Sequence, residues 1–141
     1  MTAARILLVD DEPAIQRALG PLLRSRGYLV EVAGTGTDAL RLADDATPDL
    51  VVLDLQIGNM GGMAACMSIR LDESVDRLEH VTVLMLLDRD VDAFLANRAE
   101  ADGWIVKPLD SFRLRKAATA LLAGEPYQEG MSTTVREATT G

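Results

Sequence analysis

Short apolar runs alternate with longer stretches of helical periodicity along this chain. Five segments read as strands: Arg5 to Val9, Tyr28 to Ala33, Leu50 to Leu53, Val81 to Leu87 and Trp104 to Val106. Near-continuous apolar runs of this kind suit strands buried on both faces. Between the first two, Ile15, Ala18, Leu19, Leu22 and Leu23 recur at helical spacing, with Pro13 near the start and Gly27 just past the end. That pattern is an amphipathic helix with ordinary ends. A second helix is predicted from about Thr37 to Asp45, and a third within Met63 to Asp76, where Met63, Cys66 and Met67 share a face. Val91, Phe94 and Leu95 give a fourth helix its apolar face, and Phe112, Ala117, Ala118, Leu121 and Leu122 a fifth.

Strand and helix in alternation require a parallel sheet with helices on both faces. The expected fold is therefore α/β: a doubly wound, five-stranded parallel sheet with five helices and right-handed crossovers. Any ligand site should lie beyond the carboxyl ends of the strands. After Gly124 the periodicity stops, and Glu125 to Gly141 is rich in Thr, Gly and Glu without a hydrophobic face. Residues 1–124 are thus expected to form one domain and 125–141 a mobile tail, too short for an output domain.

Composition narrows the function. At 141 residues and 48% apolar, the chain can fill one core. Its net charge of -8 argues against direct nucleic-acid binding, which depends on clustered Lys and Arg. Cys66 is the sole cysteine, so neither an internal disulfide nor a Cys-rich metal site is expected, and a reduced, cytoplasmic setting fits. The apolar runs suit neither a signal peptide nor membrane insertion.

Candidate chemistry gathers where strands end. Asp10 and Asp11 follow the first, Asp54 closes the third and Lys107 closes the fifth. In a doubly wound sheet these positions converge. Carboxylates at 4 Å repel by roughly 4 kcal/mol per pair at an effective dielectric near 20. A hard divalent cation such as Mg²⁺ would relieve that repulsion and clamp a phosphoryl oxygen, and Lys107 adds a second positive charge. Each motif alone has an ordinary reading: an Asp pair caps a loop or helix, and Lys-Pro makes a turn. The combination at three strand ends carries the specificity.

At these residues the chain resembles the response-regulator receiver family, a flavodoxin-like fold. The resemblance rests on LLVDDE at Leu7 to Glu12, VVLDLQ at Val51 to Gln56, the Gly61-Gly62 turn and VKP at Val106 to Pro108, and spans Arg5 to Ala123. It implies that Asp54 is the phospho-acceptor. It further implies Mg²⁺ held by Asp10, Asp11, Asp54 and the Gln56 backbone carbonyl, with Asp11 the direct ligand and Asp10 partly through water. Lys107 would contact the phosphoryl group and precede a cis Pro108. The implied role is that of a single-domain regulator and not an enzyme. A histidine kinase or phosphotransfer protein would supply the phosphoryl group, and the output partner stays unnamed. Pairing of two copies through the face of the fourth and fifth helices and fifth strand stays open.

The chain also departs from the family at its switch region. Leu87 stands where a Ser or Thr normally ends the fourth strand, and Asp88 where a small residue follows. Asp88 either crowds the phosphoryl donor or caps the helix opening near Asp90. Trp104 replaces the usual Tyr or Phe and needs more room to swing inward. Gly58 replaces a common Pro and loosens the acceptor loop. These departures keep a second reading alive, a pseudo-receiver that signals without phosphorylation. An aspartate-nucleophile phosphatase is disfavoured, because Gln56 stands where such enzymes carry their acid-base Asp. Flavin binding is disfavoured by the acidic pocket and the lack of a phosphate loop. His80 reads as exposed, Cys66 as core, and Met60, Met63, Met67 and Met85 as core filling.

Overall fold

The computed structural model describes residues 3–57, 61–76 and 78–129; Gly58 and Met60 lie outside the described residues. One parallel sheet runs in the order β2-β1-β3-β4-β5-β6. Its strands are β1 (Arg5–Val9), β2 (Leu29–Ala33), β3 (Leu50–Asp54), β4 (Thr82–Leu87), β5 (Gly103–Val106) and β6 (Tyr127–Gln128). Between them run α1 (Pro13–Arg24), α2 (Gly36–Asp45), α3 (Gly62–Ser74), α4 (Ala93–Arg98) and α5 (Ser111–Leu122).

Strand periodicity divides the core in two. Leu7, Val9, Val51, Leu53, Val83, Met85, Leu87 and Trp104 face α2, α3 and α4, whereas Ile6, Leu8, Leu50, Val52, Leu84, Leu86 and Ile105 face α1 and α5. Every residue of β3 is buried, which is why its sequence shows no polar alternation. Cys66 is buried and donates to the Ala99 carbonyl, 3.2 Å away, so it is core as expected. His80 is exposed as expected.

Four expectations need correction. The first concerns the tail: past Gly124 (φ +83°) the chain lays β6 beside β5, so the sheet has six strands where the sequence predicts five. Gly103 makes room, since a Cβ there would lie 2.5 Å from the Tyr127 carbonyl oxygen. Glu129 closes the end, accepting from Val106 N at 3.0 Å and Arg113 Nη1 at 2.7 Å. A two-residue strand held by such contacts has no hydrophobic signature. Residues 130–141 of the expected tail lie outside the described residues.

Second, α4 turns its alanines inward. A 3-10 turn, Asp90–Asp92, leads into it, Ala93 and Ala96 are buried, and Val91 and Phe94 are 44% and 56% exposed. The cluster beneath already holds Trp104 and Met85, both fully buried, so of the three expected residues only Leu95 packs against it, partly buried beside the small side chains of Ala93 and Ala96. Third, Phe112 is exposed, not part of the inner face of α5. Asp110 caps that helix, accepting from Arg113 N at 2.8 Å, and the resulting rotation buries Leu114, Ala117, Ala118 and Leu121. Fourth, Met67 is exposed, because α3 buries Ala65, Cys66 and Ile69 instead.

Candidate acidic site at the strand ends

Register assembles the site. Val9 pairs with Leu53, so Asp10 falls level with Asp54; Leu87 pairs with Val106, so Asp88 falls level with Lys107. Asp54 is buried. Its Oδ1 accepts from Gln56 N at 2.8 Å, and its Oδ2 lies 2.7 Å from Lys107 Nζ. Asp10 is fully buried; its Oδ1 accepts from Glu12 N at 2.9 Å and its backbone carbonyl accepts from Gln16 Nε2 at 2.5 Å. The other oxygen, Oδ2, has no hydrogen-bond partner.

Burial, and then the neighbouring Asp54 carboxyl, push the Asp10 pKa up to about 7, against the opposing pull of the Glu12 N–H and Lys107. Lys107 is held above its ordinary range: burial disfavours its charge, but the carboxylates of Asp54 and Asp88 outweigh that. Crowded acid and paired base are thus both present.

The loop after Asp54 is clamped from two sides. Leu55 N donates to Leu86 O and Gly62 N to Leu55 O, each at 3.0 Å. A side chain at Gly62 would collide with the Asp54 carbonyl oxygen and come within 2.6 Å of Leu55 Cα. The glycine is therefore required by the close approach of α3. On the far side Lys107 N donates to Leu87 O at 2.8 Å, and the Lys107–Pro108 bond is cis.

The structure brings Asp10, Asp54 and Lys107 together, with Asp11 and Gln56 exposed at the rim. Among the described residues no three His, Cys, Asp or Glu side chains are arranged as a ready-made metal cluster. The donors present nonetheless fit a divalent oxygen-seeking cation, because the buried Asp10 Oδ2 lacks any partner and the adjoining carboxyls crowd one another. Leu87 is fully buried and its side chain brings no polar atom to the site. Asp88 is not a helix cap: Arg89 leads the 3-10 turn, and Asp88 Oδ1 lies instead 3.0 Å from Lys107 Nζ. Trp104, expected to need room to swing inward, is already fully buried, with Nε1 unpartnered. The pairing of Asp88 with Lys107 and the Glu129–Arg113 contact have no sequence signal, since both depend on register across the sheet.

Residues 6–119 match the model of the response regulator receiver domain, and the chain belongs to that family. It is 36% identical over 104 residues to the DNA-binding response regulator MtrA of Mycolicibacterium smegmatis, covering 74% of this chain and 44% of that protein. The chain thus spans less than half the length of that relative. Among solved structures, a LuxR-family two-component response regulator from Aurantimonas superposes with a TM-score of 0.79 at 32% identity, covering 96% of this chain and 94% of the other. The receiver domain of sensor histidine kinase PA1611 from Pseudomonas aeruginosa superposes with a TM-score of 0.77 at 25% identity, covering 86% and 99%. That structure is described with a magnesium ion coordinated in its active-site cleft. No helix among the described residues is long and apolar enough to cross a membrane.

Proposed function

We propose that this receiver domain takes up a phosphoryl group on Asp54, in a Mg²⁺-dependent reaction, and passes the change to a protein-binding surface. The observation that carries the reading is the buried Asp54 carboxylate at 2.7 Å from Lys107, with the Asp10 carboxyl alongside. Asp10, Asp11, Asp54 and the Gln56 carbonyl would hold the Mg²⁺, which when bound neutralises the carboxylates and screens the phosphoryl oxygens. A carboxylate oxygen of Asp54 attacks phosphorus, the bond to the donor's nitrogen or acyl oxygen breaks, and the leaving group keeps the electron pair. Lys107 balances charge on the transferred group. Gln56 N–H fixes the Asp54 carboxylate.

A recess of about 290 Å³ lined by Ala14, Ile15, Ala18, Leu19 and Pro108 adjoins Lys107. It offers an apolar seat for the helix of a histidine kinase or phosphotransfer protein, the donor this reading invokes. Acetyl phosphate with Mg²⁺ should add one phosphoryl group by intact-mass analysis, and Asp54→Asn should abolish it. Absence of an adduct with every competent donor would favour the second reading, a phosphorylation-independent interaction module. That alternative draws on the wholly apolar, buried Leu87 and on the Asp88 carboxylate already engaging Lys107.

A further inference from the structure

Phosphoryl transfer to Asp54 leaves the role of Asp88 open. Asp88 stands one residue past β4 with its side chain 46% exposed, and its Oδ1 lies 3.0 Å from Lys107 Nζ. The same ammonium lies 2.7 Å from Asp54 Oδ2. One cation therefore serves two carboxylates. A phosphoryl group on Asp54 would add about one and a half to two negative charges and three strong acceptor oxygens beside that cation. Asp88 would lose its share.

What Asp88 holds is lightly anchored. Arg89 pairs with Asp92 at 3.1 Å, and the 3-10 turn runs into α4, only six residues long. A helix that short is not stable by itself, and its inward face consists of the small side chains Ala93 and Ala96 with Leu95 partly buried beside them. Asp92 Oδ2 on this segment and Trp104 Nε1 on β5 are buried without partners. Any movement that supplies either with one is favoured.

We propose that Asp88 is a positioning residue that latches the β4–α4 connection to Lys107, and that a phosphoryl group on Asp54 draws Lys107 away and frees residues 89–99. The trigger rests on the phospho-acceptor reading; the latch is a property of the unmodified protein. Because the latch engages the ammonium that an incoming donor needs, it also slows phosphoryl uptake.

Hydrogen exchange of residues 89–99 tests both parts, with beryllofluoride and Mg²⁺ as the phosphoryl stand-in and intact-mass analysis following uptake from acetyl phosphate. Asp88→Asn should raise exchange of this segment in the unmodified protein by about two- to five-fold, the effect of losing one half-exposed ion pair. Beryllofluoride should do the same to the wild type and add little to Asp88→Asn, which should also take up phosphoryl faster. In a Lys107→Met background Asp88→Asn should change nothing further. The latch is overturned if Asp88→Asn leaves exchange at 89–99 unaltered, or raises it equally when Lys107 is Met. A wild type that forms no Asp54 adduct would overturn the acceptor reading and the trigger, while the unmodified-state comparison still decides the latch.

Discussion

Asp10 carries an uneven load: one carboxyl oxygen holds the Glu12 N–H and the other is buried with nothing to bond. Its folded-state pKa, raised to about 7 from 3.8, means that the native protein keeps this proton over a range where the unfolded chain has released it. With more protons bound to the native state, stability falls as pH rises from about 4 to about 7, by on the order of a few kcal/mol once fully developed. In metal-free protein the thermal midpoint should therefore carry a downward component between pH 5 and 8 that Asp10→Asn removes. An unchanged pH slope in that variant would show that Asp10 is not the group responsible. Asp10, Asp54 and Lys107 were legible because each ends an apolar run, and strand ends are local in sequence. The engagement of Asp88 with Lys107 was not, since it needs the β4–β5 register that pairs Leu87 with Val106.

At the scale of elements, the three central strands were readable because burial on both faces leaves an uninterrupted apolar run. The two weakest elements were misread for a common reason: neither is held by its own apolar stripe. α4 is shaped by the space Trp104 leaves, and β6 by the missing side chain of Gly103 together with the Glu129–Arg113 contact. Gly103→Ala should set its methyl against the Tyr127 carbonyl oxygen and dislodge β6, costing about 1–3 kcal/mol, as overpacking typically does. Glu129→Gln should cost less, within about 1 kcal/mol, because Arg113 and Glu129 are both partly exposed. Hydrogen exchange should show lost protection confined to Gln128, Glu129 and the adjoining edge of β5. Protection undiminished in Gly103→Ala would mean that β6 does not depend on this close approach.

Over the whole molecule, the doubly wound plan follows from two facts visible in the sequence: strands alternate with helices, and successive strand residues must supply two separate helix layers. The plan also concentrates charge. A chain of net charge -8 places Asp10, Asp11 and Asp54 at one end of the sheet, opposed within the site mainly by a Lys107 that Asp88 also engages. A divalent ion bound only by the native state should stabilise the entire domain, in proportion to the logarithm of one plus the ratio of its concentration to its dissociation constant. At ten times its dissociation constant, Mg²⁺ should contribute about 1.4 kcal/mol. That raises the thermal midpoint by about 5 °C in a domain of this size. Asp11→Ala should leave the fold intact, because Asp11 is exposed, yet remove most of that rise. Monovalent salt at matched ionic strength separates specific binding from screening, which weakens carboxylate repulsion without needing Asp11. If Mg²⁺ stabilises wild type and Asp11→Ala alike beyond the monovalent control, the ion is held by Asp10 and Asp54 without Asp11, and the four-donor set is wrong.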